Sequence, residues 1–191
     1  MSSSTFTPWI GPHYLEEGLG GTNLLVVGES HYGEEENLRS GFTRDVVRSK
    51  VYEGRKAFFT FIAKLIVGRG TGNYIPQWER EWVWDRIAFY NYIQSMAGTD
   101  ADGEVTEQMW QEAREPFLDV VEVTHPDAIL VLGQTLSSHL PDKIGYSESD
   151  EVETLVIDHP SRGFSCDPWI EEVRELVGEV DPSSVEEEES A

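Results

Sequence analysis

The 191-residue sequence holds a single cysteine, Cys166. Disulfide frameworks, Cys-rich zinc sites and iron–sulfur clusters held by this chain's own thiolates are therefore excluded. No apolar run approaches the ~20 residues that cross a bilayer, so no membrane partner is expected. Met1 to Pro8 is Ser/Thr-rich and lacks a basic stretch followed by an apolar one. No signal peptide is expected from it, and the cytoplasm is the expected location. Lysine is scarce, four residues against ten arginines. A Gly-x-Ser-x-Gly elbow is absent, which weighs against a serine hydrolase built on Ser30 and His159. Neither internal repeats nor a long linker divide the chain. It reads as one domain over 1–180, monomeric, with an acidic tail over 181–191 that is expected to be disordered.

Aromatic residues are plentiful: six Trp, seven Tyr and eight Phe, too many for a disordered protein. Acidic residues dominate, with a formal charge of −22 that opposes indiscriminate attraction to nucleic-acid phosphates. The charge is unevenly placed. Between Arg39 and Arg69 eight basic residues face two acids, a local charge of +6, while the rest of the chain carries −28. That segment is either a solvated helix surface or a patch that meets a polyanion; in the second case Arg44 and Arg48 are its candidate phosphate contacts. An acid-rich, Lys-poor surface suits concentrated salt, where the Debye length falls to about 3 Å at 1 M and self-repulsion is screened.

Apolar runs and punctuation predict four strands: Asn23–Val27 closed by Gly28, Arg86–Ile93, Asp127–Leu132 closed by Gly133, and Glu153–Ile157. Helical spacing covers Phe42–Val67 with a break near Gly54, Thr106–Val123 with Thr106 as a candidate cap, and Asp167–Val177 with Pro168 in its first turn. Shorter helices are expected over Trp78–Trp84 and Gln134–Leu140. Phe58, Phe61, Ile62 and Leu65 form a stripe expected to be core. Alternating strands and helices imply an α/β three-layer sandwich, a mainly parallel four-stranded sheet between helices. Ligands in such sheets bind beyond the carboxyl ends of the strands. Three predicted strand ends are unusual: Gly28-Glu29-Ser30-His31-Tyr32-Gly33 after the first, Asn91 near the end of the second, and His159-Pro160-Ser161 after the last.

Those three segments, in that order and at those strand ends, resemble the uracil-DNA glycosylase superfamily over residues 20–178. The resemblance implies hydrolysis of the N-glycosidic bond of uracil or a related deaminated base in DNA, single- or double-stranded, without a cofactor or metal. It gives His159 the stabilisation of negative charge on uracil O2 and Asn91 the reading of the uracil edge. Phe42 becomes the aromatic that stacks on the flipped base, and Tyr32 the side chain that crowds out a thymine methyl. Gly28 and His31 fall within the same base-binding motif. The loop Pro160–Phe164 becomes the DNA-entering loop, with Ser161 and Arg162 against the backbone and Phe164 as a wedge. The departures lie in the first motif. Ser30 stands where the best-known branch has an Asp that positions water, and His31 replaces a usual Pro. Glu29, matched in another branch, is the acid left at this strand end to orient water or stabilise a sugar cation.

Base excision makes these residue types sensible. The nucleotide must leave the stack, at a cost of a few kcal/mol. An aromatic platform returns ~1–3 kcal/mol per stacked base, and an Asn amide offers both a donor and an acceptor to the uracil edge. A donor aimed at the departing oxygen is typically worth ~10²–10³-fold in rate. Ser30 and the −22 charge also leave open a non-catalytic nucleic-acid or nucleobase binder on the same fold.

Overall fold

A computed structural model describes residues 6–33, 39–98, 104–146, 151–161 and 163–185. Leu24–Gly28 (β2), Ile87–Asn91 (β3) and Ala128–Leu132 (β4) are buried along their whole length, as continuous apolar runs between two helix layers should be. Glu153–Ile157 (β5) is exposed at its start and lies at one edge. With the two-residue strand Trp9–Ile10 as β1, the sheet order is β1-β3-β2-β4-β5, and the four strands β2 to β5 are parallel. Alternate residues of one strand feed opposite layers. Leu24 and Val26 pack against Val47, Ile62 and Val83 on one side, whereas Leu25 and Val27 meet Phe117, Val121 and Leu136 on the other.

The helices are Phe42–Val47 (α1), Ala57–Ile66 (α2), Gln77–Trp84 (α3), Glu107–Thr124 (α4), Gln134–Ser137 (α5) and Ile170–Val177 (α6). Thr106 caps α4, its Oγ1 accepting from the Met109 N–H at 3.3 Å. α1 continues as a π turn, Arg48–Tyr52, a local widening often found beside binding sites. The expected break near Gly54 is real. Buried Arg80 donates to the carbonyls of Val51 and Gly54 (2.6 and 2.8 Å) and so closes the π turn.

One element differs from expectation. The sheet has five strands, because Trp9–Ile10 (β1) pairs antiparallel with Ala88 and Phe89 of β3. Two residues between Pro8 and Gly11 carry no readable alternation, so only the pairing reveals the strand. Pro182–Val185 forms a short 3-10 turn; the remainder of the acidic tail lies outside the described residues. Among the described residues no helix is long and apolar enough to cross a membrane.

Candidate functional site

Parallel strands end on one side of the sheet, and a cavity of about 510 Å³ opens there. Glu29, Ser30, His31 and Tyr32 line it from the loop after β2, Asn91 from the end of β3, and His159 from the segment after β5. The volume falls within the range that holds a small ligand.

Gly28 pairs with Asn91 across β2 and β3. A Cβ on Gly28 would sit 2.3 Å from Asn91 Oδ1, so the missing side chain leaves the space that the amide occupies. Asn91 is buried, and its backbone carbonyl accepts from Gln94 Nε2 at 2.8 Å. Its side-chain amide makes no hydrogen bond among the described residues. A donor and an acceptor are therefore presented together on the cavity wall.

His159 follows β5 where Gly133, which follows β4 with φ +122°, leaves room beside it; a Cβ there would touch His159 Cβ at 3.5 Å. Its ring is tilted over Phe58 at 5.8 Å between centroids. Although His159 is open to solvent on one side, surrounding protein lowers its pKa by desolvation, and the Glu29 carboxylate pulls against that shift. The net direction favours a neutral imidazole at pH 7, able to donate one N–H. Ser30 Oγ is buried without a hydrogen-bond partner among the described residues. It is therefore not engaged with His159, as a serine–histidine nucleophile pair would be.

His31 lines the cavity and also supports its wall. It is 5% exposed, with its ring edge-on to Phe6 and Phe42, each at 5.0 Å. Its Nε2 is committed to Thr43 Oγ1 at 2.8 Å, and burial pushes its pKa down to about 4. His31 thus fixes the wall that carries Phe42, itself a cavity residue. Tyr32, 39% exposed, stands at the rim.

The DNA-entering loop takes a correction. Phe164 is buried against Phe61 (5.7 Å) in the core layer, where the chain turns back toward Cys166, so it is not presented as a wedge. Ser161 is exposed but outside the cavity, its N–H donating to the His159 carbonyl at 2.6 Å. Arg162 lies outside the described residues.

Phe58, expected to be core, lines the cavity with Phe59 and Phe89. A helical stripe tells which residues share a face, not whether the end of that face projects past the sheet. Position in the first turn of α2, directly after a loop, was the available signal. Asp45, Val46, Ser49 and Lys50 also enter, from one side of α1 and its π turn. Arg44 and Arg48 project from another side of the same helix and line a separate cavity of about 590 Å³ with Trp9, Tyr52 and Asp85. Within the basic segment Arg39 is paired with Asp45 and Arg69 with Glu79, while Lys64 donates to the Thr71 carbonyl. Part of the +6 is therefore structural.

The cavity offers aromatic rings packed edge to face, an uncommitted amide, a neutral imidazole and the carboxylate of Glu29 near that imidazole. Such a set can bind a planar heterocycle with paired polar groups at its edge and stabilise negative charge that develops there. Among the described residues no group of three His, Cys, Asp or Glu is placed to hold a metal ion. No protein-family model matches the chain, and no curated protein matches it.

Proposed function

We propose that this cavity takes a uracil-like base out of a DNA strand and that the chain hydrolyses its N-glycosidic bond. The reading is carried by one observation: Asn91 and His159, from β3 and from beyond β5, line the same cavity over an aromatic floor. In this reading Phe42 and Phe58 sandwich or flank the base and Asn91 pairs with its edge. The neutral His159 donates to the oxygen that becomes anionic as the bond breaks. Glu29 orients water or stabilises the sugar cation. A second reading, binding without chemistry, is favoured by Ser30, whose hydroxyl cannot supply a carboxylate.

Single- and double-stranded oligonucleotides containing uracil, assayed at low and high salt, test both. His159→Ala should lower the excision rate at least ~10²-fold with binding nearly intact, because the charge it meets exists only in the transition state. Asn91→Ala should damage binding and rate together. Loss of activity in Glu29→Gln assigns it the water or cation role; full activity there with loss in Ser30→Ala moves that role to Ser30. Binding without excision by the wild-type protein at every salt concentration selects the second reading.

A further inference from the structure

At the start of α3 two large aromatics are left to water. Tyr74 is 70% exposed and Trp78, four residues on in the first turn of α3, is 48% exposed. Tyr74 does not stand alone. The Arg55 guanidinium lies 4.9 Å from its ring centroid, and Arg55 Nη2 donates to the Ile75 carbonyl at 2.7 Å. One face of the ring is thus backed by a cation that is itself pinned. The loop that carries Arg55 is held as well, since Arg80 bonds the Val51 and Gly54 carbonyls and Gln77 Nε2 donates to Val51 O at 2.9 Å.

This step is joined to the cavity through the chain. The loop joins the π turn to α2, and cavity residues lie on both sides of it, Ser49 and Lys50 before and Phe58 after. Arg55 is three residues from Phe58, so their Cα atoms are at most about 11 Å apart. Lys56, exposed, lies between them. The nearby acids are Glu53 on the loop and Glu81 on α3, and Gln77 Nε2 donates to the latter. Arg55 and Lys56 belong to the stretch Arg39–Arg69, which carries net positive charge on this −22 chain.

We infer that the Arg55–Tyr74 step, continued by Trp78, is a stacking platform for unpaired nucleotides of a single DNA strand. The open face of Tyr74 receives a base of the strand, and Arg55 and Lys56 meet the backbone. Stacking of this kind is indifferent to sequence, because every base has a π face, and strong salt dependence accompanies it. A duplex cannot use it without unpairing, since its base faces are already stacked on one another. The platform therefore sets a preference for single strands. The inference rests on the proposed function for DNA as the partner and for the base in the cavity.

The test is binding alone, with a fluorescent single-stranded thymidine oligonucleotide that contains no uracil and with its duplex, by anisotropy. Wild type should bind the single strand more tightly than the duplex. Tyr74→Ala should weaken single-strand binding about tenfold, the order of one stacked base, and Tyr74→Phe should restore it. Trp78→Ala should weaken it as well. Each change is at an exposed position, and a thermal melt confirms folding. Equal binding by Tyr74→Ala and wild type, absence of single-strand binding, or a preference for duplex overturns the platform. So does sedimentation showing a dimer that Tyr74→Ala dissolves, which would make the patch a self-association surface. Because no excision is measured, the platform stands or falls separately from the proposed chemistry: Tyr74-dependent binding without uracil excision keeps the one and removes the other.

Discussion

Gly28 illustrates how one absent side chain positions another. The Cβ of Gly28→Ala would overlap Asn91 Oδ1, the movable end of a side chain rather than backbone. The variant should therefore fold with a melting temperature close to wild type while losing uracil-oligonucleotide binding to the extent that Asn91→Ala does. A large loss of stability with unchanged binding would show that Gly28 serves the sheet instead. His31 gives a pH prediction. Its folded pKa, about 4, lies below the ordinary histidine value of 6.5 because burial penalises the charged ring. The folded state therefore binds a proton less readily than the unfolded one. The stability tied to His31 is complete above pH 6.5 and is lost as pH falls toward 4. The loss is about 2 kcal/mol by pH 5 and about 3 kcal/mol by pH 4, to order of magnitude. Urea unfolding at pH 7.5 and pH 5 should show wild type losing that much more stability than His31→Phe; equal losses would contradict the assignment.

The element that organises the site is the helix formed by α1 and its π turn. Asp45 with Ser49, and beside them Val46 with Lys50, each pair four residues apart, follow two neighbouring lines along this helix, and these four reach the cavity at the strand ends. Arg44 and Arg48 share a third line and reach the second cavity. The two arginines are therefore separated from the proposed chemistry by the body of one helix. Reversing both charges, Arg44→Glu with Arg48→Glu, should weaken oligonucleotide binding and flatten the plot of log affinity against log salt by about one unit per lost phosphate contact. Uracil excision at saturating oligonucleotide should stay unchanged. An unaltered slope would assign these arginines to ordinary surface. The next helix, α2, shows what a helical stripe leaves open. Periodicity placed Phe58 with Phe61, Ile62 and Leu65 correctly on one face; Phe58, in its first turn, packs on Phe89 of β3 (6.1 Å between centroids) and meets His159 as well, so one ring serves both the core and the cavity wall.

At the scale of the whole molecule, charge is the dominant feature. With −22 spread over 191 residues, the folded state is under self-repulsion that salt relieves as the Debye length falls from about 10 Å at 0.1 M to about 3 Å at 1 M. Thermal melts in KCl should rise by several degrees across that range, on the order of 2–4 °C per kcal/mol for a chain of this size. A flat or falling curve would show that the acidic surface is not under strain and would remove the inference of adaptation to concentrated salt. DNA binding should fall over the same range, so the concentration at which both persist is a joint property of the acidic surface and of the basic segment.

Composition and spacing alone determined the layered α/β fold, the four parallel strands nearly to the residue, and the Thr106 cap. Each of these depends on local sequence: continuous apolar runs for buried strands, 3.6-residue spacing for helices, a hydroxyl before a helix start. They also marked Gly28 to Tyr32, Asn91 and His159 as strand-end residues, since punctuation by Gly and Pro is visible in one dimension. What only the tertiary structure decided depends on distances between segments. Sheet order brought β3 and the end of β5 around one cavity, and a two-residue strand joined the edge by pairing alone. Burial took Phe164 into the core, and the cavity took in one side of Phe58, which packs on the core as well, because where a helix or loop ends relative to the sheet sets what its aromatics touch. It also turned His31 into a wall support, since the two rings that enclose it come from Phe6 and Phe42, 25 residues before and 11 after it.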